Sequence, residues 1–323
     1  MSSKSSIKNL LHLSIPIFFA NLAIPLVAIV DTGLMGNLDD ASYLTATSIA
    51  SSLFSMIFWS FGFLRMGTVG MVAQAHGSNQ YNEIVDLVIR NITFVIVISL
   101  LLIFLQHFIF NLGLQIFDLS NDTEKYFKDY FDIRIYSSFG ELTIYVITGL
   151  FIGLQKTKTS SVVVGFFAVT NIIFSLFFVL YFNLNVTGVA LGTLVSSTLT
   201  SFIFLIYTFS ELKKLTNINF DIKKIFNVKK IQNIFNMNFN IFIRTVLLTF
   251  SFLFFTYLGN TISEDVVAAN TILINLVFLS AFILDAYAFS TEGIVGYSIG
   301  SKNITLLRDV IKNSFMLSAS TGL

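Results

Sequence analysis

The chain has 323 residues, 55% of them hydrophobic and only 11% charged, with a formal net charge of +1 and a mean hydropathy of +0.81. A soluble domain of this length would have too few polar groups to cover its surface, so the composition predicts an integral membrane protein with the lipid bilayer as its solvent and no nucleic-acid partner. Cysteine is absent and the three histidines, His12, His76 and His107, lie far apart, which leaves neither a disulfide framework nor a ligand cluster for a metal.

Crossing the hydrocarbon core as a helix takes about 20 apolar residues. On that ruler spans are predicted at 10–36, 42–74, 86–110, 130–154, 161–182, 187–209, 238–258 and 266–298, with a ninth beginning near 305. The first is read as a permanent anchor, since it is longer than a signal sequence and no convincing small-residue cleavage site follows it.

Span one holds Pro16 and Pro25, the only prolines of the chain, and Asp31. A proline removes one backbone hydrogen bond and favours a bend. Asn21, Pro25, Ala28, Asp31 and Thr32 share one side at helical spacing and are expected to face a cavity. An ionisable group inside a bilayer costs about 2.5–3.5 kcal/mol on insertion scales, so each is a functional candidate. A carboxylate there can exchange a proton as its surroundings alternate between wet and dry, which makes Asp31 the first candidate for proton or cation coupling. The competing reading is a structural carboxylate that pairs with a nearby arginine or caps the outer end of the span.

Span two carries Arg65 in its inner half, where a bridge to a carboxylate of the other half of the protein would form a gate; spacing selects no partner. In span four Arg134, Ser138, Glu141 and Tyr145 follow one face, making Glu141 a second proton-site candidate or a packing carboxylate bonded to Ser or Tyr. Span six has Gly188, Gly192 and Ser196 at the spacing of a close-packing face. Arg244 in span seven is read as structural, and Asp285 and Glu292 in span eight stand on one face. The 37 phenylalanines are expected mostly to meet lipid, although a cavity lined with some of them would suit flat apolar cations.

Orientation follows from the basic residues. Lys4, Lys8, Lys156, Lys158, the linker lysines Lys213, Lys214, Lys223, Lys224, Lys229 and Lys230, then Lys302 and Arg308, fall on alternate loops, which predicts a cytoplasmic N terminus in a multi-pass protein of the plasma (inner) membrane.

Residues 33–77 and 256–300 align without a gap at a fixed offset of 223, with Gly36/Gly259, Asn37/Asn260, Ala46/Ala269, Ile49/Ile272, Leu53/Leu276, Gly70/Gly293, Val72/Val295 and Gly77/Gly300 identical, and Ser78/Ser301 continuing the series. Six spans separate the copies, so both enter the membrane in the same direction and an axis along the membrane normal should relate them. The expected fold is an all-α polytopic membrane protein of two six-helix lobes: residues 1–209, a basic cytoplasmic linker at 210–236, and a partial second lobe at 237–323. Leu323 corresponds to Leu100, inside the third span, so a complete second lobe would need roughly three further spans.

Several segments are similar to the multidrug and toxin extrusion (MATE) family, in its DNA-damage-inducible-F-like (DinF-like) branch. They are Val30-Asp31-Thr32, the run Phe61-Gly62-Phe63-Leu64-Arg65-Met66-Gly67-Thr68 with Val72-Ala73-Gln74-Ala75, Gly149 with Gly153-Leu154-Gln155, Ile241-Phe242-Ile243-Arg244-Thr245, and Asp285-Ala286-Tyr287-Ala288-Phe289 with Glu292. The resemblance implies twelve helices in two lobes around a V-shaped cavity, and a secondary active antiporter that exports lipophilic, often cationic drugs or toxic metabolites in exchange for protons or sodium, with no cofactor besides the coupling ion. It matches Asp31 to the family's proton-linked aspartate and Asn171 to the asparagine of span five. The aspartate commonly found four residues after that asparagine is Ser175 here, which weakens a sodium-type or two-carboxylate site and leaves Asp31, with Glu141, as the coupling group. A monomer is expected. The alternative is a flippase for a lipid-linked precursor, whose cavity would be strongly cationic. Neither a His-Glu-x-x-His helix nor a Gly-x-Ser-x-Gly elbow occurs, so no enzyme is expected.

Overall fold

A computed structural model of the chain describes residues 7–38, 40–117, 119–216, 225–262 and 264–322. Its helices are α1 (Ile7–Gly36), α2 (Ala41–Ser60), α3 (Phe63–Gly77), α4 (Tyr81–Phe104), α5 (Gln106–Phe117), α6 (Asn121–Arg134), α7 (Ser138–Gly153), α8 (Thr157–Leu176), α9 (Asn185–Leu215), α10 (Val228–Ile262), α11 (Glu264–Gly300) and α12 (Ile304–Gly322). No strand occurs among the described residues.

Within the first lobe six segments are long and apolar enough to cross a membrane: Ile7–Gly36, Ala41–Gly77, Tyr81–Phe104, Asn121–Gly153, Thr157–Tyr181 and Asn185–Leu215. The predicted second span is two helices, because the Phe61 and Gly62 amides donate back to Phe58 and Trp59 and tighten the chain between α2 and α3. A Cβ on Gly62 would stand 3.0 Å from the Trp59 carbonyl, so this turn favours glycine. The predicted third span is also divided, with α5 a separate helix after Leu105. The fourth starts earlier than hydropathy indicates, because the polar segment from Asn121 already forms α6 and runs through the 3-10 turn Ile135–Ser137 into α7. Helices α9 and α10 reach into the predicted linker, to Leu215 and from Val228.

The core of the first lobe gathers Phe54, Phe58, Phe127, Phe131, Ile135, Leu142, Val146 and Val189 from α2, α6, the 3-10 turn, α7 and α9. Nearly every residue of α7 from Leu142 to Gly153 is buried. Glycines permit this: a Cβ on Gly140 would lie 2.7 Å from Ser197, and one on Gly149 2.6 Å from the Arg65 carbonyl. The small-residue face of α9 packs as its spacing suggested, with Gly188 against Val179 and Gly192 against Ser175.

The internal repeat is legible in backbone detail. After α3, Asn79 has φ 58° and the Gln80 amide donates to the Ala75 carbonyl; after α11, Lys302 has φ 54° and the Asn303 amide donates to the Ser298 carbonyl. Both are left-handed helix ends of the same type, at the repeat offset.

Candidate functional site: two charged clusters in the helix bundle

Asp31 sits where α1 packs on α8. Ser175 and Arg134 are among its polar neighbours, and Asp31 Oδ1 is buried and makes no hydrogen bond among the described residues. Asn171, one helical turn before Ser175, donates from Nδ2 to Thr193 Oγ1 at 2.9 Å. Asn171 Oδ1 and Ser175 Oγ are likewise buried and unpaired among the described residues. Buried polar atoms are seldom left this way, and a run of unpaired oxygens suits a proton, a small cation or water. Among the described residues no group of three His, Asp or Glu side chains gathers as a metal site.

Glu141 has a different environment. Its carboxylate forms an ion pair with Arg134 and accepts a hydrogen bond from Ser137 Oγ at 3.0 Å. The Arg134 guanidinium also donates to Ser137 and lies 5.3 and 5.2 Å from the ring centres of Phe54 and Phe58. The face expected from Arg134, Ser138, Glu141 and Tyr145 is thereby corrected at one position. The 3-10 turn brings Ser137 to the pair, and Ser138 is buried with its hydroxyl unpaired among the described residues.

The second cluster lies between α3, α7, α10 and α11. The Arg65 guanidinium stacks 3.8 Å over the Phe289 ring. Tyr145, Asp285 and Glu292 are its charged or polar neighbours, and Arg244 is the second cation facing both carboxylates. Asp285 and Arg244 are exposed, whereas Glu292 is half-buried against α3. The partner that the structure gives Arg65 is the Phe289 ring; among the described residues neither carboxylate forms an ion pair with it.

The polar stripe of α1 does not share one environment. Asn21 is buried, Pro25 and Asp31 are half-buried, and Ala28 and Thr32 are exposed, because α1 packs against both α8 and α11. Sequence reasoning missed Arg90, which is 2% exposed and bound to Glu83 at 2.9 Å, to Asp86 at 3.6 Å and to the Ile225 carbonyl at 2.7 Å. The acidic residues four and seven positions earlier were the available signal. It also missed the Ser14–Ser290 hydroxyl contact of 2.6 Å that ties α1 to α11.

Residues 16–177, half of the chain, match the MatE family. The chain belongs to that family. As a MatE protein it is 28% identical over 306 residues to the DNA damage-inducible protein F of Escherichia coli (strain K12), an alignment that covers 95% of this chain and 66% of the relative. The chain therefore spans about two thirds of that relative's length. Among solved structures, the outward-facing conformation of a multidrug resistance MATE family transporter superposes with a TM-score of 0.86 at 17% identity, over 96% of this chain and 69% of the other. A MOP superfamily transporter from Pyrococcus furiosus gives a TM-score of 0.85, also at 17% identity, covering 96% of this chain and 69% of that one. At such identity the likeness shows the fold: two helical lobes, of which this chain describes the first and part of the second.

Proposed function

We propose that the protein is a secondary active antiporter that exports lipophilic, cationic compounds in exchange for protons. It works as a monomer in the plasma membrane with its N terminus in the cytoplasm. Membership of a family of transporters, not enzymes, supports the broad class. The observation that carries the finer reading is the contrast between two intramembrane carboxylates. Glu141 has a guanidinium partner, while Asp31 Oδ1 has no hydrogen-bond partner among the described residues. An ion-paired carboxylate gains little from a proton; an unpaired one in a low-dielectric site can take one up and release it. Protons are preferred over sodium because Ser175, beside Asp31, adds a hydroxyl where the resemblance brings a second carboxylate.

In the proposed cycle Asp31 takes a proton from the outer side, α1 bends at Pro25, and the cavity loses its affinity for substrate. Proton and substrate then alternate on the same helix. The flippase reading finds less support. Arg134 is paired with Glu141, and Arg65 and Arg244 have Asp285 and Glu292 in their surroundings, so each of the three arginines already has a carboxylate near it.

The test is proton-driven efflux of a fluorescent lipophilic cation from vesicles, for the chain alone and for the chain extended by the C-terminal helices of the E. coli relative. Asp31→Asn should reduce pH-driven efflux at least tenfold while Glu141→Gln, if folded, retains it. Efflux that survives Asp31→Asn would move coupling elsewhere.

A further inference from the structure

The contact between the lobes is built on glycine. Along α3 and α11, Gly77 meets the backbone of Tyr297 and Gly300 meets the backbone of Gln74. Between them a Cβ on Gly296 would come 2.6 Å from the Ala73 Cβ, and one on Gly293 2.9 Å from the Ile152 carbonyl of α7. Gly77 and Gly300 are equivalent in the repeat, and so are Gln74 and Tyr297, so the two terminal contacts are the same contact made twice across a pseudo-two-fold axis. Backbones this close leave no path for a solute. The seam occupies the end of α3 and α11 that the lysine pattern assigns to the cytoplasm.

Charge breaks this symmetry at one place. The repeat equivalents of Arg65, Glu292 and Asp285 are Ala288, Val69 and Gly62, none of them charged. Arg65 belongs to α3 of the first lobe, and its carbonyl is pinned against Gly149 of α7. Its side chain crosses the boundary to stack on Phe289 of α11. Glu292 Oε1 lies 3.7 Å from where a Cβ of Gly70 would be, so this carboxylate rests directly on α3. Asp285, two helical turns earlier on α11, faces the same arginine. The guanidinium is held by the aromatic face, with both carboxylates in its surroundings but neither in an ion pair with it among the described residues, and that stacking requires the two helices to stay together.

We propose that the α3–α11 glycine seam is the cytoplasmic gate of the cavity and that Arg65 is the positioning residue that holds it shut, by stacking on Phe289 between Asp285 and Glu292. This rests on the transporter reading above. Opening toward the cytoplasm separates Gly77 from Tyr297 and Gly300 from Gln74 and breaks the Arg65 contact. Glycine lets the helices part and close again as flat surfaces, while the arginine sets how long they stay closed.

The absence of cysteine makes the test direct, since any introduced thiol is unique. Ala73→Cys puts a thiol inside the seam, at a position with 0% exposure, and Ser78→Cys puts one on its exposed rim. The full 323-residue chain is placed in inside-out vesicles and labelled from the cytoplasmic side with a membrane-impermeant maleimide. In the Arg65→Ala background the Ala73→Cys position should label at least fivefold faster, with Arg65→Lys in between because it keeps the charge and loses the planar stack, and the Ser78→Cys position should label at one rate throughout. Phe289→Leu, which keeps an apolar side chain, should also accelerate labelling at Ala73→Cys and decides the matter should Arg65→Ala not fold. Equal rates at Ala73→Cys in the Arg65 and Phe289 variants and the parent would overturn the proposal. Labelling requires neither a proton gradient nor substrate, so its outcome is independent of whether efflux is found.

Discussion

Gly77 and Gly300 occupy equivalent positions of the repeat, and each lies against the backbone of the other's helix, at Tyr297 and at Gln74. Glycines kept at both ends of a fixed offset are thus explained by contact. They face each other, and a side chain on either would force α3 from α11.

Alanine at either position should cost about 1–3 kcal/mol through overpacking, and the two losses should be similar because the contacts are related by symmetry. Gly165→Ala is the control, since nothing lies within 4 Å of a Cβ there. Thermal unfolding of the purified variants in detergent checks this; unequal losses at Gly77 and Gly300 would argue against a symmetric seam.

Breaking the Arg134–Glu141 pair from one side should be severe. Glu141→Gln leaves a guanidinium inside the bundle with Ser137 and the rings of Phe54 and Phe58 but no counter-charge, a loss of about 3–5 kcal/mol if the charge remains buried. Replacing both residues by methionine should recover most of that. A double-mutant cycle on the unfolding midpoint measures the coupling directly, and additive losses would show that the pair does not act as a unit.

Ser175→Asp should alter ion preference. It adds a carboxylate beside Asp31 in a closely packed site, where Ser175 is fully buried and its Oγ lies against Gly192. Efflux by the extended chain should then respond to a sodium gradient, to which the parent is expected to be indifferent. An unchanged response would remove Ser175 as the reason for proton preference.

Arg90→Met should loosen the polypeptide that follows the first lobe. It removes the bond to the Ile225 carbonyl and leaves Asp86 without this partner and Glu83 with Lys230 alone of the two cations that hold it. Faster tryptic cleavage at Lys229 and Lys230 is the expected result, read by mass spectrometry against the parent.

How far sequence reached is clear from particular residues. Asp31 stood out because a lone carboxylate on an apolar helix is expensive, and Asp285 with Glu292 because seven residues are two helical turns. Arg134 and Glu141 were placed on one face but not paired, and that face carried Ser138 where the hydroxyl that joins them is Ser137. A single 3-10 turn changes the rotation of everything beyond it, and no hydropathy pattern records that turn. Arg90 was overlooked because its acidic neighbours sit at the polar end of α4, where charges ordinarily face water.

The sequence by itself determined that the chain crosses a membrane, roughly where its spans lie, and that residues 33–77 repeat at 256–300, because bilayer thickness and helical rise act on each segment separately. Which charges meet was decided only by tertiary structure. Whether Asp31 faces Arg134 or Ser175, and whether Arg65 reaches Phe289 and Glu292, depends on how closely helices distant in sequence approach and how each is rotated. For Arg65 that approach is set by glycine contacts between α3 and α11, more than two hundred residues apart.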